Sequence, residues 1–96
     1  MQIEDTKDGD TLIATISGEV DLQCWNELQE WTERLQAHPG PVVLDAHGVG
    51  FCDSVILRFL LRLRETVPQF TLRSPSPDLR VVLESAGLLG AFHLDS

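Results

Sequence analysis

Apolar and polar positions along the 96-residue chain change period several times, and each change marks an element. Residues 2–5 read as a short first strand. Lys7-Asp8-Gly9-Asp10 is a turn, because Asp-Gly supplies the positive φ that a tight hairpin needs. Residues 11–17 (TLIATIS) alternate imperfectly and are β-branched, as in a half-buried strand. These two strands should pair as a hairpin, and residues 18–21 should then leave the sheet. From Asp21, a good N-cap, the period becomes helical over residues 22–37. Trp25, Leu28, Thr32 and Leu35 fall three or four apart on the inner face, and Glu27, Glu30 and Glu33 on the wet one. His38-Pro39-Gly40-Pro41 stops the helix, since neither proline can continue it.

The densest pattern follows, residues 41–65 (PVVLDAHGVGFCDSVILRFLLRLRE). Val42-Val43-Leu44 is apolar on both sides, which suits a central strand covered on both faces and ending in Asp45. His47-Gly48-Val49-Gly50 reads as a tight connector. Phe51-Cys52-Asp53-Ser54 leads into a helix running to about Thr66. Asp53 and Ser54 are both helix-start residues, whose side-chain oxygens can accept orphan backbone N–H bonds. A hydroxyl is thereby held near the positive end of the helix dipole. At 100° per residue, Ile56, Phe59, Leu60 and Leu63 make one arc, the buried face, while Ser54, Arg58, Leu61 and Glu65 share another side. Leu61 is the odd apolar member there, either a partner contact or a flank of the core.

Pro68 ends the helix, and residues 69–73 read as a fourth strand. After the loop Ser74-Pro75-Ser76-Pro77, Ser76 as N-cap with Pro77 in the first helical position starts a short third helix. Leu79, Val82 and Leu83 face inward, and Gly87 is its C-cap. Residues 92–94 add a last short strand. Strands alternating with helices predict an α/β layer structure. Its sheet would be mixed, mostly parallel and four- to five-stranded, with an N-terminal antiparallel hairpin and three to four helices. The length suits one domain over residues 1–96.

Charge and composition narrow the function. A net charge of −8 argues against a general nucleic-acid or anionic-membrane binder, since both need basic surface. The start Met1-Gln2-Ile3-Glu4-Asp5 lacks the basic-then-apolar run of a signal peptide. The Leu-rich helix is too short and too interrupted by Arg for membrane insertion. Two cysteines, Cys24 and Cys52, make no disulfide framework, so a cytoplasmic setting is expected. His38, His47, His93 and the cysteines show no metal-ligand spacing. No Gly-x-Ser-x-Gly elbow surrounds Ser54, and the nearness of His47 to Asp45 reads as a coincidence of sequence. Gly48-Val49-Gly50 lacks the third glycine of a dinucleotide fingerprint. No cofactor and no enzymatic activity are therefore expected. The enzymatic alternative is a redox or hydrolytic site at Cys52 or Ser54, because a thiol beside a helix start can have a lowered pKa. Trp25 and Trp31, six positions apart, cannot both face the core, which leaves Trp31 part-exposed as a possible anchor.

Three motifs in order resemble one family. A strand ending in Asp45, then Gly48-Val49-Gly50-Phe51-Cys52-Asp53-Ser54, then a Leu-rich helix is similar to the STAS domain, and within it to the bacterial anti-sigma factor antagonists. Gly18-Glu19-Val20-Asp21 stands where that family has Gly-Glu-apolar-Asp before its first helix. Val82-Leu83-Glu84-Ser85-Ala86-Gly87-Leu88, followed by Phe92, matches its closing pattern. The resemblance covers nearly the whole chain. It implies a STAS-like fold and a cytoplasmic transcription regulator that binds an anti-sigma factor serine kinase, is switched off by phosphorylation of Ser54, and is restored by a serine phosphatase. The implied partner face is Asp21, Asp53, Ser54, Arg58 and Leu61. Two departures stand out: Ile56 replaces a glycine two residues after the phosphorylated serine, and Ala46-His47 replaces an apolar-Ser pair. The alternative is a STAS scaffold subunit of a signalling or transport complex, without phosphorylation.

Overall fold

A computed structural model describes residues 1–95. In chain order it contains β1 (Gln2–Asp8), β2 (Thr11–Val20), a 3-10 turn (Leu22–Cys24), α1 (Trp25–Gln36), β3 (Val42–Cys52), α2 (Val55–Thr66), β4 (Phe70–Arg73), α3 (Pro77–Ser85), a second 3-10 turn (Leu89–Ala91) and β5 (Leu94–Asp95). The five strands form one sheet whose spatial order equals the chain order. β1 and β2 are antiparallel, and every later pairing is parallel. This is the expected mixed sheet with its N-terminal hairpin. Asp8 pairs with Thr11, so the hairpin loop is Gly9-Asp10, and Gly9 supplies the positive φ of 62°.

Helical crossovers that all step the same way across a sheet place their helices on the same face. Burial agrees. Along β2, Leu12, Ala14 and Ile16 are buried while Thr11, Ile13, Thr15 and Ser17 are half-exposed. Val42 and Leu44 of β3 and Leu72 of β4 sit in register with the buried set. Val43 pairs with Ile13 on the other face and is only half-buried. β3 is therefore central in the sheet, between β2 and β4, but covered on one face rather than both as its apolarity suggested.

The strand is also longer than expected. Residues 47–50 are not a connector; they continue β3 beside β2, which itself runs on to Val20 instead of leaving the sheet at residue 18. The register shows how. Thr15 faces Asp45 but Ser17 faces Gly48, and Gly18 faces Val49 but Val20 faces Cys52. Each step spends three residues of β3 on two of β2, as β-bulges do, so an irregular Gly-rich stretch stays paired. Gly48 is needed there, because a Cβ would lie 2.9 Å from the Cβ of Ser17.

The helices follow their patterns. Leu28, Thr32 and Leu35 of α1 are buried, and the Thr32 hydroxyl donates to the Leu28 carbonyl at 2.9 Å. Ile56, Phe59, Leu60 and Leu63 of α2 are buried as one arc, with Val55 beside them. Ser76 caps α3 by accepting from the Leu79 N–H at 3.2 Å. Gly87, with φ 71°, ends it, with Leu88 N–H on the Leu83 carbonyl and Gly87 N–H on the Glu84 carbonyl, a Schellman arrangement. Trp31 is half-buried as expected, and it lies under the Arg34 guanidinium, which also pairs with Asp5 of β1. The last strand is Leu94–Asp95 rather than residues 92–94. Phe92 instead turns into the core against the edge of Phe70.

Candidate functional site

The β3–α2 junction is held to the end of β2 by one backbone bond, Asp53 N–H to the Val20 carbonyl at 3.2 Å. That bond places Asp53 beside the β2 terminus from which Asp21 follows. Asp21 Oδ1 accepts from the Gln23 N–H at 3.0 Å, so it caps as expected, but what it caps is the 3-10 turn that precedes α1.

At the start of α2 the cap is Asp53 and not Ser54. Asp53 Oδ1 accepts from Val55 N–H at 2.9 Å, and the Asp53 carbonyl accepts from Ile56 N–H at 3.2 Å. Ser54 already has helical backbone angles (φ −63°, ψ −13°), and its hydroxyl makes no cap bond. The reason is geometric. An N-cap oxygen reaches the amides ahead of it from an extended backbone, whereas a residue already inside the turn projects its side chain outward. Ser54 is exposed, with its hydroxyl unengaged by the backbone it follows.

Two apolar side chains near this end of the sheet stand in the open. Leu22 is 73% exposed and Phe51 62% exposed. The sequence reading used Phe51 as part of a motif and did not name either as a contact residue. Signals were present: Leu22 falls outside the α1 arc, and Phe51 directly precedes the buried Cys52, on whose strand neighbouring side chains point to opposite faces. The surrounding charge is acidic. Glu19, Asp21 and Asp53 lie at this end of the sheet, and Asp78 of α3 is near enough, with Asp53, to act on Cys52.

Cys52 is a buried thiol and does not fit the redox alternative. Burial pushes its thiol pKa up, and the carboxylates of Asp78 and Asp53 push it further in the same direction. A thiolate is disfavoured here, because burial first, and the acidic neighbours after it, penalise the charged form. His47 and Asp45 are also not a coincidence of sequence. His47 Nδ1 donates to Asp45 Oδ1 at 2.7 Å, His47 N–H reaches the same oxygen at 3.0 Å, and Arg73 Nε donates to Oδ2 at 3.1 Å. Burial pushes the Asp45 carboxyl pKa up, but these bonds outweigh it and hold the group below the ordinary carboxylate value. No hydrogen bond links this cluster to Ser54 among the described residues. Nor, among them, do three His, Cys, Asp or Glu side chains gather as a metal site would require.

Arg58 and Leu61 continue from Ser54 along α2. Arg58 is exposed, and Leu61 is half-buried against the core. Both line a groove of about 580 Å³ between α1 and α2, whose other wall carries Trp25 and whose floor includes Phe59. Leu61 thus flanks the core on one side and borders the groove on the other. Of the five expected face residues, Asp21, Asp53 and Ser54 meet at the sheet end, and Arg58 and Leu61 extend that face along the helix.

Comparison with known proteins adds the following. A family model described as "Mlab, STAS domain" matches residues 3–94. An anti-sigma factor antagonist from Mycobacterium paratuberculosis is similar in structure, with 23% identity, a TM-score of 0.88, and coverage of 98% of this chain and 84% of that one. RsbS from Moorella thermoacetica, solved with a serine-to-glutamate change, has 21% identity and a TM-score of 0.74 over 98% and 86%. The Bacillus cell fate determinant SpoIIAA in its phosphorylated form has 18% identity and a TM-score of 0.65 over 99% and 91%. At such identities these likenesses establish the fold. No curated protein matches the chain by sequence.

Proposed function

The chain belongs to the STAS domain family, and from that premise we propose that it is a bacterial anti-sigma factor antagonist. On this reading it is a cytoplasmic binding module rather than an enzyme. It docks an anti-sigma factor serine kinase through the rim formed by Asp21, Leu22, Phe51, Asp53 and Ser54, continued along α2 by Arg58 and Leu61. Phosphorylation of Ser54 releases the partner, and a serine phosphatase restores binding.

The observation that carries the reading is the Ser54 hydroxyl, exposed and unused as a cap, at an end of the sheet where Phe51 and Leu22 are also exposed. A contact that covers Ser54 together with this end of the sheet is dry around the serine. A phosphate adds about −1.5 to −2 charges there. Burying that charge without partners is costly, and Asp53 and Asp21 add repulsion. Each 1.4 kcal/mol of the loss weakens binding about tenfold. The switch therefore needs no refolding of the domain.

Ile56 is the observation that favours a second reading, a STAS scaffold subunit without phosphorylation, because the family resemblance puts a glycine there. Its side chain, however, is fully buried and so does not stand between a kinase and Ser54. Incubation with the cognate kinase and ATP, followed by phosphopeptide mapping and calorimetry, separates the two. Label on Ser54, loss of binding on labelling, and a Ser54→Ala variant that binds but resists inactivation are expected. Label elsewhere, or equal labelling of Ser54→Ala, would leave the scaffold reading standing.

A further inference from the structure

Ser54 and Arg58 stand one helical turn apart on the same side of α2, and both are exposed. The amides around them are already occupied. Val55 N–H goes to Asp53 Oδ1, Ile56 N–H to the Asp53 carbonyl, and Leu57 and Arg58 N–H to the Ser54 carbonyl at 3.1 and 3.4 Å. An anion on the Ser54 oxygen thus finds no free N–H among residues 55–58. Carboxylates lie close by: Asp53 on the same turn, and Asp21, which follows the Val20 carbonyl that the Asp53 N–H bonds. Arg58 is the cation within reach. Side chains four apart on a helix have Cβ atoms about 5–6 Å from each other. Among the described residues the ion pairs are those of Arg34, His47 and Arg73, so Arg58 is not committed to a carboxylate.

We propose that Arg58 is an intramolecular clamp for a phosphate carried by Ser54, its guanidinium taking two phosphate oxygens. The proposal rests on the reading of Ser54 as a phosphorylation site and adds what holds the group once it is there. The covalent step is ordinary transfer from ATP. The Ser54 oxygen bonds the γ-phosphorus, the bond to the β,γ-bridging oxygen breaks, ADP leaves, and the hydroxyl proton is released. A planar guanidinium suits a phosphate because two parallel N–H bonds form at once. The same guanidinium borders the α1–α2 groove beside Leu61, so the closed clamp removes a cation from that groove. Modification then alters the partner face at two points one turn apart.

The test needs no kinase, because phosphoserine can be installed at position 54 by an expanded genetic code. Phosphorus NMR follows its second ionisation, ordinarily near pH 6. The expected result is a pKa lower by about half a unit or more than in the Arg58→Gln variant, since a nearby cation favours the dianion. The Arg58 Nε–H resonance should move on phosphorylation. Arg58→Lys should recover part of the pKa difference, by charge without the paired bonds. Arg62→Gln, one turn further on, should leave the titration unchanged. Superimposed titrations for the parent and Arg58→Gln, a stationary Arg58 resonance, or an equal effect of Arg62→Gln would each overturn the clamp. If the cognate kinase never labels Ser54, the switch reading fails, and this titration still decides the clamp.

Discussion

Ile56→Gly restores the residue that the family resemblance expects, and the structure assigns it a heavy cost. Ile56 is fully buried in the arc with Phe59, Leu60 and Leu63. Truncating a buried isoleucine to alanine removes about 2–5 kcal/mol, through lost transfer energy and the cavity left behind. Glycine in place of alanine adds up to about 1 kcal/mol of backbone entropy, less in the first turn than in mid-helix. The expected loss is about 2–6 kcal/mol, against a total of about 5–15 kcal/mol for ordinary domains. Since about 1 kcal/mol moves the melting temperature by about 4–8 °C at this size, the variant should melt at least about 8 °C lower. Urea unfolding followed by tryptophan fluorescence measures it, with Ile56→Ala separating side-chain from backbone contributions. A loss below about 1 kcal/mol would refute the assignment of Ile56 to the core and would point its side chain toward a partner. The outcome also governs kinase assays, because a largely unfolded variant is labelled for reasons unrelated to access.

Three further outcomes are expected. Asp53→Ala should cost about 1 kcal/mol as a lost N-cap, while Ser54→Ala should change stability by less than about 0.5 kcal/mol; the reverse order in urea titrations would return the cap to Ser54. The Asp45 carboxyl titrates below its unfolded value, so its stabilisation is present above about pH 4 and is lost as pH falls through the lowered folded pKa. Asp45→Asn should flatten that acid limb of the stability curve, and an unchanged limb would show the His47 and Arg73 contacts to be energetically idle. Leu44→Asp should unfold the domain, since an unpaired buried carboxylate costs several kcal/mol; hydrogen exchange that finds β3 unprotected would contradict its central place.

Helix faces were legible in the sequence because they are local. The arc from Ile56 to Leu63 follows from 100° per residue, and burial of those side chains follows from their apolarity wherever the helix docks. Ser76 with Pro77 and the glycine at 87 were legible for the same reason, since a cap satisfies backbone groups within a few residues of itself. The resemblance to STAS domains rested on such local signals in a fixed order, and it located Asp21, Asp53 and Ser54 together.

What the tertiary structure decided is what depends on residues distant along the chain. Val42-Val43-Leu44 reads as two-sided, yet only the face toward the helices is closed, because every parallel crossover steps the same way and leaves Val43 and Ile13 half-exposed. Residues 47–50 look like a loop until β2 lies alongside them and two bulges absorb the mismatch. Either Asp53 or Ser54 has the chemistry to cap α2. The bond from Asp53 N–H to Val20, thirty-three positions earlier, holds Asp53 outside the helix and leaves the serine oxygen free. The Cys52 thiol is raised rather than lowered because the packed fold buries it and, in addition, α3 brings Asp78 near it. Local periodicity sets which side chains share a face; the pairing of strands sets which face meets water, and with it which hydroxyl a partner can reach.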